Sequence, residues 1–264
     1  HDEDAGTLQL GGQRARPRGD GDLVAGGDER LRDGEADAPV ASGHQHDPTH
    51  SVLLVVLVTG GNRGIGLAFA RELLARGARK VYAAARDPAT VTLAGVQALQ
   101  LDVTRPEEIA AAAQRASDVN LVINNAGIAQ VGGFLAEDSD AVTRRIFETN
   151  FFGVLNVSKT FAPVLKANGG GALVNVLSVA SWVNGGELAA YSASKSAAWS
   201  LTNALRHELA GQKTQVLGLH MGFVDTDLTR GFDFPKSSAE EIVQRALDGL
   251  AAGADEVLAD AFTQ

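Results

Sequence analysis

The residues with the clearest chemical potential are a tyrosine and a lysine four positions apart, Tyr191 and Lys195. On a helix such residues share a face, so the lysine ammonium would lie beside the tyrosine phenol. A neighbouring cation favours the phenolate, and each unit by which it lowers the phenol pKa corresponds to about 1.4 kcal/mol. Ser178 precedes the tyrosine by 13 residues and adds a hydroxyl group. These residue types predict a proton-transfer site.

A glycine-rich loop lies far upstream, between an apolar run and a predicted helix, with the sequence Thr59-Gly60-Gly61-Asn62-Arg63-Gly64-Ile65-Gly66. Backbone approaches a phosphate closely only where side chains are absent, and free amides at a helix start bind anions. The glycine spacing differs from the Gly-x-Gly-x-x-Gly pattern of many dinucleotide enzymes. Together with the tyrosine and lysine, the loop predicts hydride transfer with a nicotinamide cofactor.

The end of the second predicted strand bears on which cofactor is used. An NAD-specific site places a carboxylate there, about twenty residues beyond the loop, to bind the ribose hydroxyls. This chain has Ala85 followed by Arg86. Arg86 and Arg63 could bind a 2′-phosphate, each charged hydrogen bond contributing about 1.5 to 3 kcal/mol. The pattern favours NADP(H), with two solvated arginines as the alternative.

Short apolar runs alternate with longer amphipathic segments from residue 51 onward, which is typical of repeated βαβ units. Strands are predicted at 52–58, 80–85, 96–101, 119–124, 171–177, 214–220 and 255–259. Helices are predicted at 64–76, 106–116, 140–167, 188–211 and 238–252, with a bend at Pro163. The segment between the second and third strands is too short for a full helix. The predicted fold is α/β: a single Rossmann-type domain over 51–264, with a doubly wound, parallel, seven-stranded sheet flanked by helices.

Residues 1–50 differ in composition from the rest of the chain. They hold 11 of the 32 acidic and 5 of the 23 basic residues, with nine glycines and no aromatic residue. We interpret them as a disordered or non-native extension. His44, His46 and His50 lie in this stretch, and no metal site is expected from them.

The remaining segment is only mildly acidic and has no basic face for nucleic acid or an anionic membrane. The apolar run at 52–58 is far shorter than the about 20 residues that a membrane span needs. Cysteine is absent, so the chain has no disulfides, and a cytoplasmic location is the default expectation.

The assembled motifs closely resemble those of the short-chain dehydrogenase/reductase family over essentially all of 52–260. The resemblance rests on the glycine loop, Leu101-Asp102-Val103, Asn124-Asn125-Ala126-Gly127, Asn150 in Glu-Thr-Asn-Phe-Phe-Gly, Ser178, and Tyr191 with Lys195. It implies a catalytic tetrad of Asn150, Ser178, Tyr191 and Lys195. It also implies a cofactor site, in which Asp102 and Val103 contact the adenine, Asn125 and Gly127 support the ribose, and Val224 and Thr226 hold the nicotinamide amide. With the loop and arginine arguments, the expected cofactor-binding residues are Gly60, Asn62, Arg63, Gly64, Ile65, Gly66, Arg86, Asp102, Val103, Asn125, Ala126, Gly127, Tyr191, Lys195, Val224 and Thr226.

By this resemblance the chain is an NADP(H)-dependent enzyme that interconverts an aldehyde or ketone and an alcohol. Tyr191 would donate the proton, Ser178 would hydrogen-bond the same oxygen, and Lys195 would lower the tyrosine pKa and bind the nicotinamide ribose. The chain departs from the family in having Met221 before Gly222, where proline is usual. A short segment from Leu228 to Ser237 predicts an open substrate pocket, for which the candidate residues are Gln130, Trp182, Val183, Glu187, Leu188, Phe223, Leu228, Phe232 and Phe234.

Two other functions stay open at this point. A noncatalytic NADP(H)-binding sensor would use the same fold but would be free to lose Tyr191 or Lys195. A sugar-nucleotide epimerase or dehydratase would need more chain after the sixth strand for its substrate domain. The helices at 140–167 and 188–211 carry wide apolar faces, which predict a homodimer or homotetramer, since members of the family commonly pair these helices.

Overall fold

Short runs of β-branched and other apolar residues form the strands of one parallel sheet in the computed structural model, which describes residues 54–264. The strands are β1 (Val55–Thr59), β2 (Lys80–Ala85), β3 (Gln97–Gln100), β4 (Leu121–Asn124), β5 (Gly171–Val176), β6 (Thr214–His220) and β7 (Glu256–Leu258). Neighbouring strands are parallel throughout, in the order β3-β2-β1-β4-β5-β6-β7. The predicted seven-stranded parallel sheet is confirmed. The prediction for residues 1–50 concerns residues outside the described range.

Helices cover both faces of this sheet. Alternate residues of a strand point to opposite faces, and every residue of the central strand β1 is buried, so the sheet is covered on both sides there. The helices are α1 (Gly64–Ala75), α2 (Pro106–Arg115), α3 (Ser139–Phe147), α4 (Gly153–Ala167), α5 (Ala189–Ala210) and α6 (Ala239–Ala251). Val56 and Val58 pack into a core with α1 and α6. Val55 and Leu57 pack into a second core with α2, α4 and α5. The arrangement is that of a doubly wound sheet.

The order of the strands reverses at β1. The chain moves outward from β1 to β2 and β3, and then returns to β4 on the other side of β1. In open parallel sheets a ligand cleft forms at the carboxyl ends of the strands at such a point. The connection from β2 to β3 contains only a 3₁₀ turn at Pro88–Thr90, as its short length predicted. The carboxyl ends of β1 and β4 are therefore where the functional residues are to be sought.

The helix predicted over 140–167 is present, but it contains a π-helical segment that was not predicted. A π-helical segment, Glu148–Phe152, separates α3 from α4. Pro163 lies inside α4 and does not end it. A π-helical turn holds one more residue than an α-helical turn and so redirects the side chains on it. Asn150 lies in this segment and is buried.

No helix in residues 54–264 combines the length and apolar character needed to cross a membrane. Within the same range, no three His, Asp or Glu side chains are grouped so that they could hold a metal ion. His44, His46 and His50 precede this range.

Candidate active site

The glycine loop between β1 and α1 contains positions at which a side chain would be strained or would clash with the backbone. Gly60 and Gly64 have φ values of +65° and +52°, a region that favours glycine. A Cβ on Gly66 would lie 2.1 Å from the carbonyl oxygen of Gly60. The helix α1 begins at Gly64 with no side chain capping its first amides. These amides are thus the donors that a phosphate would meet.

Thr59, which the sequence analysis did not single out, joins this loop to the end of β4. Its hydroxyl donates to the carbonyl of Ile123 (3.3 Å) and accepts from the backbone amides of Asn125 (2.9 Å) and Ala126 (3.0 Å). The Asn125 side-chain amide donates back to the carbonyls of Thr59 (2.9 Å) and Gly60 (3.3 Å). The Asn125 side chain therefore fixes the loop that would receive a cofactor.

The two arginines predicted to bind a 2′-phosphate lie on the surface with different partners. Arg63 forms an ion pair with Asp227, with 3.3 Å between Nη1 and Oδ2, and so reaches the segment after β6. Arg86 is exposed, and its charge acts on Asp102. The side chain of Asn62 donates to Thr90 at 3.0 Å. Arg86 is thus the arginine that lies toward the predicted adenine side of the site.

Asp102 and Val103 follow β3, on the same edge of the sheet. Burial by itself would raise the pKa of Asp102, but hydrogen bonds from Thr104 and the charges of Arg86 and Arg105 outweigh it and lower the pKa. The Asp102 carboxylate accepts from the Thr104 amide (2.9 Å) and hydroxyl (2.7 Å). Val103 is buried, and its side chain fills the space beside Gly153. Asp102 is therefore an ionised group held in place by its own turn.

The Ser178 hydroxyl lies beside the Tyr191 phenol and acts to lower its pKa. Ser178 caps the short turn that follows β5, and its hydroxyl accepts from the Ala180 amide at 3.1 Å. Burial raises the pKa of the Tyr191 phenol above its ordinary value of 10.0, and the Ser178 hydroxyl offsets only part of this rise. The phenol is therefore protonated at neutral pH and able to donate.

Lys195 lies on the same face of α5 as Tyr191, with Nζ 5.7 Å from the centroid of the tyrosine ring. Its ammonium donates to the carbonyl of Val176 at 2.7 Å. Burial lowers the pKa of Lys195 from 10.5 to about 8. The pKa of Tyr191 in this structure is therefore raised, and not lowered as predicted. The reason is that burial dominates at the phenol, while the ammonium is directed toward the end of β5.

The side-chain amide of Asn150 is hydrogen-bonded to two other segments of the chain. Its side chain accepts from the Ile128 amide (2.9 Å) and donates to the Ile128 carbonyl (2.9 Å) and the Ser194 hydroxyl (3.0 Å). The Ser194 hydroxyl in turn donates to the carbonyl of Tyr191 at 2.7 Å. A Cβ on Gly127 would lie 3.4 Å from Asn150 Oδ1 and 3.9 Å from Lys195 Nζ. The four predicted tetrad residues are thus in one neighbourhood, and Ser194 is a further member that only the contacts reveal.

The segment after β6 brings Val224 and Thr226 toward the glycine loop. Val224 is buried, and Thr226 places its methyl 3.3 Å from the position of a Cβ on Gly64. Met221, which replaces the usual proline, is buried in the core, and its carbonyl accepts from the Val179 amide at 2.9 Å. The turn therefore keeps its contact with the Ser178 segment without a proline.

The residues predicted to line a substrate pocket separate into groups. Phe223 stacks on Phe234 with ring centroids 4.7 Å apart, and it also contacts Phe232 and Phe262. A cavity of about 250 Å³ lies beside Phe223 and Phe262. The other candidates are spread along neighbouring segments: Gln130, Glu187 and Leu188 near the bridge to Gly132, Val183 and Leu228 on the surface, and Trp182 against His220. Phe262 and His220 were not predicted, because both make their contacts with residues far away in the sequence.

Comparisons with known proteins agree with this arrangement. A family model described as short chain dehydrogenase matches residues 54–234. The chain is 38% identical over 183 residues to galactitol 2-dehydrogenase (L-tagatose-forming) of Cereibacter sphaeroides, an alignment that covers 65% of this chain and 72% of that protein.

Two solved structures are similar in fold. A short chain dehydrogenase from Burkholderia cenocepacia J2315, in complex with NADP, superposes with a TM-score of 0.77 and 40% identity, over 80% of this chain and 90% of that one. A short chain dehydrogenase/reductase from Burkholderia phymatum, in complex with NAD, gives a TM-score of 0.71 and 25% identity, over 78% and 88%.

Proposed function

The chain belongs to the short-chain dehydrogenase family, and from this premise we propose that it is an NADP(H)-dependent oxidoreductase that interconverts a carbonyl group and an alcohol. The observation that carries the proposal is the placement of the Ser178 hydroxyl and the Tyr191 phenol side by side and near the buried ammonium of Lys195, at the same edge of the sheet as the glycine loop. A proton donor, a second hydroxyl and a cation are the groups that carbonyl reduction requires.

The residues of the cofactor site fit a dinucleotide phosphate. The loop at 59–66 keeps its backbone free of side chains, and the amides at the start of α1 have no capping side chain. Ala85 stands where an NAD-specific site would have a carboxylate, and Arg86 follows it, so a 2′-phosphate would meet a guanidinium rather than a like charge. The 40% identical neighbour binds NADP. When bound, the nicotinamide supplies the hydride.

The chain's own groups then perform the proton chemistry. As negative charge grows on the substrate carbonyl oxygen, the Tyr191 phenol donates its proton to that oxygen and the Ser178 hydroxyl donates a hydrogen bond to it. Burial keeps the phenol protonated before this step. The Lys195 ammonium, 5.7 Å from the ring centroid, stabilises the phenolate that proton donation leaves behind. In the direction of alcohol oxidation, the same phenolate would accept the proton.

A fluorescence titration of the chain with NADPH and with NADH tests the cofactor assignment. We expect selective binding of NADPH. Arg86→Ala should weaken NADPH binding by roughly 10- to 100-fold, since a charged hydrogen bond contributes about 1.5 to 3 kcal/mol, and should leave NADH binding unchanged. Arg71→Ala, at an exposed position of α1, is the matched control. If the folded chain binds neither cofactor, the proposed function fails.

Consumption of NADPH with ethyl acetoacetate, 4-nitrobenzaldehyde and cyclohexanone tests the reaction. The predicted pocket residues are mostly apolar or aromatic, so we expect the aromatic aldehyde and the cyclic ketone to be turned over. Tyr191→Phe is the control that should bind NADPH without consuming it. Binding of NADPH with no turnover of any carbonyl or alcohol would instead favour a sensor.

We also propose that the chain forms a homo-oligomer through α4 and α5, as the family resemblance implies. Phe152, the residue before α4, is 42% exposed and contacts Phe151, which in turn contacts Phe147. An exposed aromatic group of this kind is typical of a surface that another protein covers. Light scattering during gel filtration should give a dimeric or tetrameric mass at micromolar concentration, and a monomeric mass would contradict the proposal. Cytoplasmic location stays a prediction.

A further inference from the structure

His220 ends β6 and is fully buried, and both of its ring nitrogens face an oxygen atom. Nδ1 lies 3.3 Å from the backbone carbonyl oxygen of Ser178. Nε2 lies 2.7 Å from Oε2 of Glu256 on β7. The histidine therefore connects the edge strand of the sheet to the backbone of the serine that contacts Tyr191.

Both oxygen atoms are acceptors. A carbonyl oxygen has no proton to donate, and a carboxylate accepts at both oxygens. Burial alone would raise the pKa of Glu256, but hydrogen bonds from His220, Arg206 and Trp199 outweigh it and lower the pKa, so the group is a carboxylate at neutral pH. A neutral imidazole has one donor and would point a lone pair at one of the two oxygens. Only the imidazolium satisfies both contacts.

The surroundings suit a cation. The ring of Trp182 stacks on the imidazole at a centroid distance of 4.1 Å and an angle of 22°, and Trp199 meets it edge-on at 6.1 Å. Among residues 54–264, the charged group that contacts His220 is Glu256, which also accepts from Arg206 of α5 at 2.9 Å. Asp255 lies 3.5 Å from Arg206 and balances its charge.

Gly218 provides a second observation that supports the position of the Glu256 carboxylate. A Cβ on Gly218 would lie 2.3 Å from Oε2 of Glu256, the oxygen that His220 contacts. The absence of a side chain on β6 at this point therefore leaves the space in which the carboxylate meets the imidazole. An alanine there would displace it.

We propose that His220, as an imidazolium paired with Glu256, is a positioning residue that holds the Ser178 backbone for proton transfer. The Ser178 carbonyl accepts from the imidazolium and from the Ser181 amide at 2.9 Å, which fixes the turn that Ser178 caps. The Ser178 hydroxyl on that turn is the group that contacts Tyr191. The role in catalysis rests on the function proposed above, whereas the charge state of His220 does not.

The charge state is tested by ¹⁵N NMR of the histidine rings in the full chain, with His220 assigned by its loss in His220→Asn. We expect both ring nitrogens of His220 to carry a proton at pH 7. In Glu256→Gln and Gly218→Ala, His220 should lose one of the two protons at the same pH. His207, near the end of α5, serves as the internal reference. A wild-type His220 with one unprotonated nitrogen at pH 7 would overturn the proposal.

The positioning role is tested with two variants that each keep one donor. His220→Asn places an amide donor near the position of Nδ1 and keeps a contact to Ser178, whereas His220→Gln places its donor toward Glu256. With whichever carbonyl of the panel the wild type reduces fastest, we expect kcat to fall about tenfold in His220→Gln and less in His220→Asn. Neither variant should change the dissociation constant for NADPH.

A double-mutant cycle separates positioning from general loss of structure. In a Ser178→Ala background, His220→Gln should cause no further fall in kcat, because the positioned hydroxyl is already gone. A further tenfold fall would show that His220 does not act through Ser178. If both histidine variants fail to fold, the NMR spectra of the wild type and of Glu256→Gln still test whether both ring nitrogens of His220 carry a proton. A wild type that reduces no carbonyl would refute the proposed function, while the NMR result would still decide the charge state.

Discussion

The chain has two tyrosines, and each lies beside a lysine. Near the amino end of β2, the ammonium of Lys80 is 5.2 Å from the ring centroid of Tyr82 and 3.2 Å from its hydroxyl. Near the carboxyl ends of the strands, the ammonium of Lys195 is 5.7 Å from the ring centroid of Tyr191. The two pairs share residue types and approximate distance, so their difference must come from what surrounds them.

The surroundings differ in one carboxylate. Asp118 accepts from Lys80 at 2.5 Å and from the Tyr82 hydroxyl at 3.0 Å. Its hydrogen bond is the largest of the effects that raise the pKa of Lys80. Among residues 54–264, no ion pair joins Lys195 to a carboxylate, and burial lowers its pKa to about 8.

The difference separates a structural pair from a functional one. The ammonium of Lys80 is paired with the carboxylate of Asp118, and this ion pair stabilises the fold. A buried cation without a counter-ion opposes folding, so its position is explained by what it does to a ligand or a reacting group. The carboxyl ends of the strands, where Lys195 lies, are also where ligands bind in open parallel sheets.

The largest difference is expected when each tyrosine loses its hydroxyl. Tyr191→Phe should lower kcat by about 10²- to 10⁴-fold, because it removes the proton donor. Tyr82→Phe should leave kcat unchanged and lower the free energy of unfolding by about 1 kcal/mol, through loss of hydrogen bonds. Steady-state NADPH consumption and denaturant unfolding of both variants measure these effects. Equal kcat values for the two variants would remove the distinction between the pairs.

Replacing each lysine by methionine should change stability in opposite directions. In the cofactor-free chain at pH 7, Lys195→Met should raise the free energy of unfolding by about 1 to 3 kcal/mol, since it removes a buried charge. The same variant should lose reductase activity. Lys80→Met should lower the unfolding temperature and keep its activity, because Asp118 loses its partner. If Lys195→Met were strongly destabilising, the ammonium would be part of the fold's own stability.

The stability effect of Lys195 should depend on pH. Because its folded pKa, about 8, lies below the ordinary 10.5, the folded chain binds fewer protons than the unfolded chain between these values. Stability relative to Lys195→Met should therefore rise as the pH rises from about 8 to 10.5, and be lowest and constant below about 8. Urea unfolding of both proteins at several pH values measures this. A difference that does not vary over that range would contradict the assignment.

The smallest effect is expected at Asp118. Burial alone would raise its pKa, but hydrogen bonds from Lys80 and Tyr82 outweigh it and lower the pKa. A lowered pKa means that the carboxylate stabilises the fold above its unfolded value, 3.8, and that this contribution is lost as the pH falls through the folded value. Asp118→Asn should thus lower the unfolding temperature slightly at pH 7, with little change near pH 3. Equal differences at the two pH values would exclude this ion pair as their cause.

Local patterns were enough to predict the sheet and the chemical groups of the site. The apolar run of β1 followed by the loop at 59–66 has its own signal in neighbouring residues, as does the spacing of Tyr191 and Lys195 on α5. The π-helical segment at Glu148–Phe152 has no comparable signal, because it contains neither proline nor glycine. Its place is set by the contacts of Asn150 with Ile128 and Ser194.

What could not be predicted depends on contacts between distant residues. His220 lies 42 residues from Ser178 and 36 from Glu256, and Lys80 lies 38 from Asp118. The sequence marks each as an ordinary polar residue, and only the sheet brings them together. The direction of the Tyr191 pKa was missed for the same reason, since burial of the phenol is a property of the whole site.

The most direct test of the distinction between the two pairs is an NMR titration of the six lysine side chains in the cofactor-free chain, with Lys195 and Lys80 assigned by their methionine variants. We predict that Lys195 titrates near pH 8, and that Lys80 titrates above the ordinary lysine value of 10.5. Titration of Lys195 together with the exposed lysines would contradict the account, because its ammonium would then be neither desolvated nor different in kind from that of Lys80.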